Sequence, residues 1–175
     1  QSLVAYDKDT AEIVWGGESD PVGYSSPQLR TLAETPQILI FNYGNVVSHD
    51  PSTGQVFWQY PWPKTESVSQ PVPLPDNRLF VSSGYGIGGK LFRVQRNTEG
   101  SLQAVLVWET LGLKAKCTNV VYRDGYIYGL DDGILVCLDI SAGERRWKGR
   151  RYGHGQLILV EDLLLVQAES GDVVL

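Results

Sequence analysis

Residues able to do chemistry are few in this 175-residue chain, and they are scattered. The most site-like run is Arg150-Arg151-Tyr152-Gly153-His154-Gly155, where an imidazole stands between two glycines with cations and a phenol nearby. Such a group titrates near neutral pH or contacts an anion; equally, a polar residue flanked by glycines suits a crowded point where strands approach. Asp131-Asp132-Gly133 pairs two carboxylates, but a Ca²⁺ site needs several more oxygens, and a turn between two strands accounts for the trio. Gly84-Tyr85-Gly86-Ile87-Gly88-Gly89 has the spacing G-x-G-x-x-G. A dinucleotide site needs a helix to follow that loop, whereas Lys90-Leu91-Phe92-Arg93-Val94 reads as a strand. Cys117 and Cys137 form neither a disulfide framework nor a metal site. With a strand between them their backbones would stand roughly 9–10 Å apart, beyond a bridge, and both are expected as buried free thiols. No Ser-His-Asp set and no constellation of two carboxylates suited to acid–base catalysis emerges, so no catalytic residue, metal ligand or cofactor is assigned.

The elements that position these residues follow from an internal repeat. Leu3-Val4-Ala5-Tyr6-Asp7, Val46-Val47-Ser48-His49-Asp50 and Leu135-Val136-Cys137-Leu138-Asp139 are each followed by a tryptophan eight positions after the Asp: Trp15, Trp58 and Trp147. A fourth copy, Leu91 to Gln95, reaches its Trp108 with five extra residues, placed around Asn97 to Ser101. Glycine opens the same strand each time, at Gly44, Gly89, Gly133 and Gly171. Tryptophans spaced by 43, 50 and 39 residues, with short strands between turn signals, are the mark of propeller blades. The chain divides into the end of a blade (1–16), three full blades (24–60, 67–109 and 116–148) and the start of another (154–175). Asp76-Asn77, Asp124-Gly125 and Glu161-Asp162 are hairpin turns. Asp50 to Gly54 and Asp139 to Gly143 are longer turns, in which the carboxylate accepts backbone N–H groups and the glycine takes positive φ. No ten-residue window carries a helical apolar stripe.

The pattern Asp-x-x-Thr/Ala-Gly-x-x-x-Trp, once per four-stranded blade, resembles the PQQ-like repeat of the quinoprotein alcohol dehydrogenase-like superfamily. That superfamily also holds a lipoprotein of outer-membrane protein assembly and further bacterial propellers. The run Tyr126 to Gly133, continued through Trp147-Lys148-Gly149, looks most like those bacterial members. The resemblance implies an all-β propeller of four-stranded antiparallel blades with tryptophan docking, here a partial, about four-blade, segment of a seven- or eight-bladed ring. It also implies that Trp15, Trp58, Trp108 and Trp147, with Asp7, Asp50 and Asp139, are structural docking residues between blades. The family's PQQ enzymes join adjacent cysteines over the cofactor. Cys117 and Cys137 are twenty positions apart, and no matching Ca²⁺ ligand set is found.

Composition narrows the function classes. Net charge is −5, with 20% charged residues. That sign disfavours nucleic acid, whose binders present a basic face, and anionic membranes alike. No apolar run approaches the ~20 residues of a membrane helix. The chain starts without methionine, inside a strand-like pattern, and reads as a segment of a longer protein. Its open ends call for missing blades or self-association, since bare blade faces and strand edges associate; a four-bladed ring closed by the N-terminal pair is the alternative. Partners are expected at one rim, as protein or small ligand, through Tyr24, Gln70, Tyr85, Lys116, Arg151, Tyr152 and His154. Trp62, held between two prolines, joins them either as a partly exposed protein contact or as seam packing. His49 occupies a repeat position filled elsewhere by Tyr6, Val94 and Leu138 and is expected to pack. The reading is a non-catalytic binding or scaffolding module, periplasmic or at the cell surface by resemblance. The alternative is a fragment of a PQQ-dependent dehydrogenase, or a sensor domain, whose catalytic or effector part lies elsewhere.

Overall fold

The computed structural model describes residues 2–17 and 19–175; Gln1, the first residue of the expected partial blade, and Glu18 lie outside the described residues. Seventeen strands and no helix are present among the described residues. Every neighbouring pair is antiparallel and consecutive in sequence. The first sheet is β1 (Val4–Tyr6) with β2 (Ile13–Gly16). Three complete blades follow. The first is β3 (Gln28–Leu32), β4 (Thr35–Asn42), β5 (Asn45–His49) and β6 (Val56–Pro61). The second is β7 (Val72–Leu74), β8 (Arg78–Ser83), β9 (Gly88–Arg96) and β10 (Leu102–Thr110). The third is β11 (Val121–Arg123), β12 (Tyr126–Asp131), β13 (Ile134–Asp139) and β14 (Arg145–Arg151). A three-stranded sheet, β15 (Gln156–Val160), β16 (Leu163–Gln167) and β17 (Val173–Val174), ends the arc. The two-stranded and three-stranded sheets are separate and share no ladder among the described residues.

The core lies in the seams between blades, and strand alternation supplies it. Successive side chains point to opposite faces. Thus Leu79 and Val81 of β8 join Leu39, Phe41 and Val46 of the first blade. Phe80, between them, joins Ile127, Val136 and Leu138 of the third. A central blade therefore carries continuous apolar strands, buried on both faces. Leu3 packs with Ile40 and Val47 at the first seam, and Leu130 with Leu157 and Val166 at the last. The partial sheets leave Tyr6, Ile13 and Val14 at one end, and Ile158, Leu163 and Val173 at the other, exposed.

Turns obey local rules. Asp132-Gly133 and Asp124-Gly125 both take positive φ at both positions, the geometry whose twist matches a two-residue hairpin. Asp76 and Asn77 do the same, inside a turn one residue longer than the others because Pro75 precedes them.

One expectation is corrected here, and one open alternative is decided. Cys117 is exposed, and only Cys137 is buried; both are free. Cys117 lies in the lead into β11, four residues before that strand begins at Val121. Trp62 is buried, with 4% of its surface exposed. Its indole packs edge-on against Phe41 at 5.1 Å and donates to Ser83 Oγ at 2.9 Å. The first–second blade seam takes the ring in, so it cannot serve a partner.

Candidate functional site

Up-and-down strands give the arc two rims. One carries the leads into each innermost strand together with the turns between second and third strands. The two kinds of segment are hydrogen-bonded there: Trp62 N to Gly44 O at 2.8 Å, Asp132 N to Lys114 O at 3.1 Å, and Tyr152 N to Gly133 O at 2.7 Å. The opposite rim carries the Asp-containing turns.

The leads converge on one polar cavity of about 210 Å³. Tyr24 and Ser26 come from the lead into β3, Val68 and Gln70 from that into β7, Cys117, Thr118 and Asn119 from that into β11, and Gln156 opens β15. The innermost strands end at Leu32, Leu74, Arg123 and Val160. Four positions before each end stands a side-chain amide: Gln28, Gln70, Asn119 and Gln156. These amides link neighbouring blades. Gln28 Nε2 donates to Gln70 Oε1. Asn119 Oδ1 accepts from Gln70 N at 2.9 Å, and Gln156 Nε2 donates to Cys117 O at 2.8 Å. Gln28 Oε1 and Ser25 Oγ, on residues next in chain or hydrogen-bonded to the cavity lining, are buried without a protein partner.

The residues singled out from sequence divide by place. Tyr24 and Gln70 line the cavity. Tyr85 and Lys116 meet beside it: the Lys116 ammonium lies 4.8 Å from the Tyr85 ring centre, a cation–π contact. Gly84, next to Tyr85, is required because a Cβ there would strike the Lys116 side chain. His154 stands two residues before Gln156, the position held by Ser26, Val68 and Cys117, all cavity-lining, in the other blades. It is exposed, and its backbone N–H donates to Glu169 Oε2 at 3.0 Å. Arg151 belongs to the outer strand β14, which runs three residues beyond its expected end, and donates to Asp132 O at 2.9 Å. Arg151 and Tyr152 line a second cleft of about 770 Å³ shared with Glu169 and Asp172. Cations and carboxylates face each other in that cleft.

Asp131 does more than close a turn. It is buried, accepts from Lys114 N at 3.1 Å, and pairs with the Lys114 ammonium and with Arg145 Nη1, the latter at 3.1 Å. One carboxylate thus ties the lead, the hairpin and the outer strand of the third blade together. Among the described residues no group of three His, Cys, Asp or Glu is placed to hold a metal.

On the opposite rim, Asp50 Oδ1 accepts from Ser52 N at 2.7 Å, and Asp139 Oδ1 from Ser141 N at 2.8 Å. Asp7 Oδ1 accepts from Asp9 N at 2.9 Å and Thr10 N at 2.8 Å. These bonds favour the charged form. The Ser52 and Ser141 hydroxyls, and the Thr10 N–H, lead in holding the three carboxyls below the ordinary value. Against two of these turns lie the tryptophans of the preceding sheets. Trp15 Nε1 donates to Pro51 O at 3.0 Å, and Trp108 Nε1 to Ile140 O at 2.9 Å. Trp58 differs: it donates to Gln37 Oε1 of its own blade at 2.8 Å. The corresponding turn of the next blade is the enlarged Asn97–Ser101 hairpin. Trp147 is 42% exposed and packs on Tyr128. His49 is fully buried; its Nδ1 pairs with Gly54 O at 3.0 Å.

The family model described as outer membrane protein assembly factor BamB matches residues 1–149. The crystal structure of BamB from Moraxella catarrhalis superposes with a TM-score of 0.67 at 17% identity, over 97% of this chain and 53% of that one. The crystal structure of the computationally designed Ika8 protein gives 0.64 at 14% identity, over 96% and 50%. The chain therefore spans about half the length of these structures, and at such identities the likeness is one of fold. No curated protein sequence gives a significant match.

Proposed function

This chain belongs to the family of the outer membrane protein assembly factor BamB, and from that membership we propose that it is a non-catalytic protein-binding module, acting in the periplasm or at the cell surface. The docking face is the rim formed by the leads and the second-to-third-strand turns. The observation that carries this reading is that Tyr24, Tyr85, Lys116, Tyr152 and His154, far apart in sequence, all fall on one rim of the arc. Tyr24 and Tyr85 are 75% and 48% exposed, and exposed tyrosines anchor protein contacts at small conformational cost. On the opposite rim the Asp50 and Asp139 carboxylates are engaged by the N–H groups of their own turns, which suits structure better than recognition.

Site-specific photocrosslinking in the native host tests this. A benzoylphenylalanine at Tyr24, Tyr85 or His154 should yield one discrete protein adduct, and the same group at Thr98 or Asp162, both exposed on the opposite rim, should not. Equal yields from both rims, or none from either, would remove the proposal.

A further inference from the structure

The amide belt is not absorbed by a protein-docking rim. Each of the four innermost strands, or the lead just before it, presents a side-chain amide four positions before the strand's end, while the two preceding positions vary freely: Ser26-Pro27, Val68-Ser69, Cys117-Thr118 and His154-Gly155. A carboxamide carries two donor hydrogens and an acceptor with two lone pairs. The bonds between blades use only part of that capacity, and Gln28 Oε1, buried, has no protein partner. The cavity they border holds the volume of about seven waters. Hydroxyls from Ser26, Thr118 and Tyr24 and amides from Gln70, Asn119 and Gln156 surround it, and no charged side chain lines it.

From this we propose that the axial cavity binds a neutral sugar unit. An anion or cation would find no charged group in the lining itself to offset its desolvation. A peptide main chain offers one donor and one acceptor per ~3.3 Å of strand, and its side chains would meet almost no apolar wall. A sugar ring instead presents closely spaced hydroxyls that donate and accept at once, which matches alternating amides and hydroxyls. Tyr24, at the mouth, supplies a flat face for the ring's C–H side.

Saturation-transfer NMR of the chain with glucose, N-acetylglucosamine and maltose tests this. At least one sugar should show saturable transfer, insensitive to salt because no charge takes part. Alkylating the exposed Cys117 with N-ethylmaleimide should abolish it by filling the cavity, without disturbing the buried Cys137. Tyr24→Ala and Gln70→Leu should each weaken binding about tenfold or more. Circular dichroism establishes that the variants fold, and the alkylated wild type keeps the test open if Gln70→Leu does not. No transfer from any of the three sugars, or transfer undiminished by alkylation, overturns the proposal. Either outcome is independent of the photocrosslinking result.

Discussion

The indole N–H of Trp108 donates to the carbonyl of Ile140, and the same ring covers Gly143 so closely that an added Cβ would stand 2.7 Å from its Cε3. One residue of the second blade thereby reads both the start and the end of a turn in the third. Trp15 treats Pro51 and Gly54 in the same way. Asp, Gly and Trp recur together because each makes the other's contact possible.

Gly143→Ala should therefore destabilise the chain by about 2–4 kcal/mol, combining left-handed backbone strain with overpacking. Gly125→Ala, at a φ of +87° but with open space around it, carries the strain alone and should cost about 1–2 kcal/mol. Thermal melts of the two variants measure the difference.

Acid should loosen the Asp turns. The folded-state pKa values of Asp7, Asp50 and Asp139 lie below the ordinary 3.8. Their contribution is present above the unfolded value and is lost as pH falls through the lower folded one. Melting temperature should drop over that acid range, and less steeply in the Asp50→Ala, Asp139→Ala double variant. Equal slopes would assign acid sensitivity to other groups.

Thiol titration should find one reactive cysteine in the native chain and two in denaturant. Cys117 is exposed. Burial pushes the Cys137 thiol up, partly offset by its bond to Tyr128, so Cys137 lacks both access and thiolate. Two fast-reacting thiols under native conditions would contradict this placement.

Iodide quenching of tryptophan fluorescence should come mostly from Trp147, the one tryptophan with an exposed ring at 42%. Trp147→Phe should remove most of it and cost little stability. Trp62→Ala should leave quenching nearly unchanged but cost about 3–5 kcal/mol, as for other buried aromatic rings.

The leucine–valine alternation, the Asp-Gly turns and the repeat of tryptophan every 39 to 50 residues disclose blades, strand order and turn types from sequence. These are local properties: a residue's φ, its neighbours' alternation and a turn's length act within a few positions. The rim proposed for docking is legible only in outline. Tyr24, Gln70 and His154 stood out by type, but the amide belt did not. Counted from the tryptophans, Gln28, Gln70, Asn119 and Gln156 fall 13, 12, 11 and 9 residues on, because leads between blades differ in length. Counted back from the first hairpin of each blade, all four coincide, and that count is the signal that would have found them.

What the sequence determined by itself is the propeller repeat, since each blade's pattern is written in its own residues. What only the tertiary structure decided is where side chains end up relative to other blades. Trp62 is taken into a seam while Trp147 stays open, Trp58 turns to Gln37 where a neighbouring hairpin is enlarged, and four amides form bonds to the next blade across 39 to 49 positions. Seam contacts join residues distant in the chain, and a side chain's burial there depends on what the next blade presents, which no local pattern encodes.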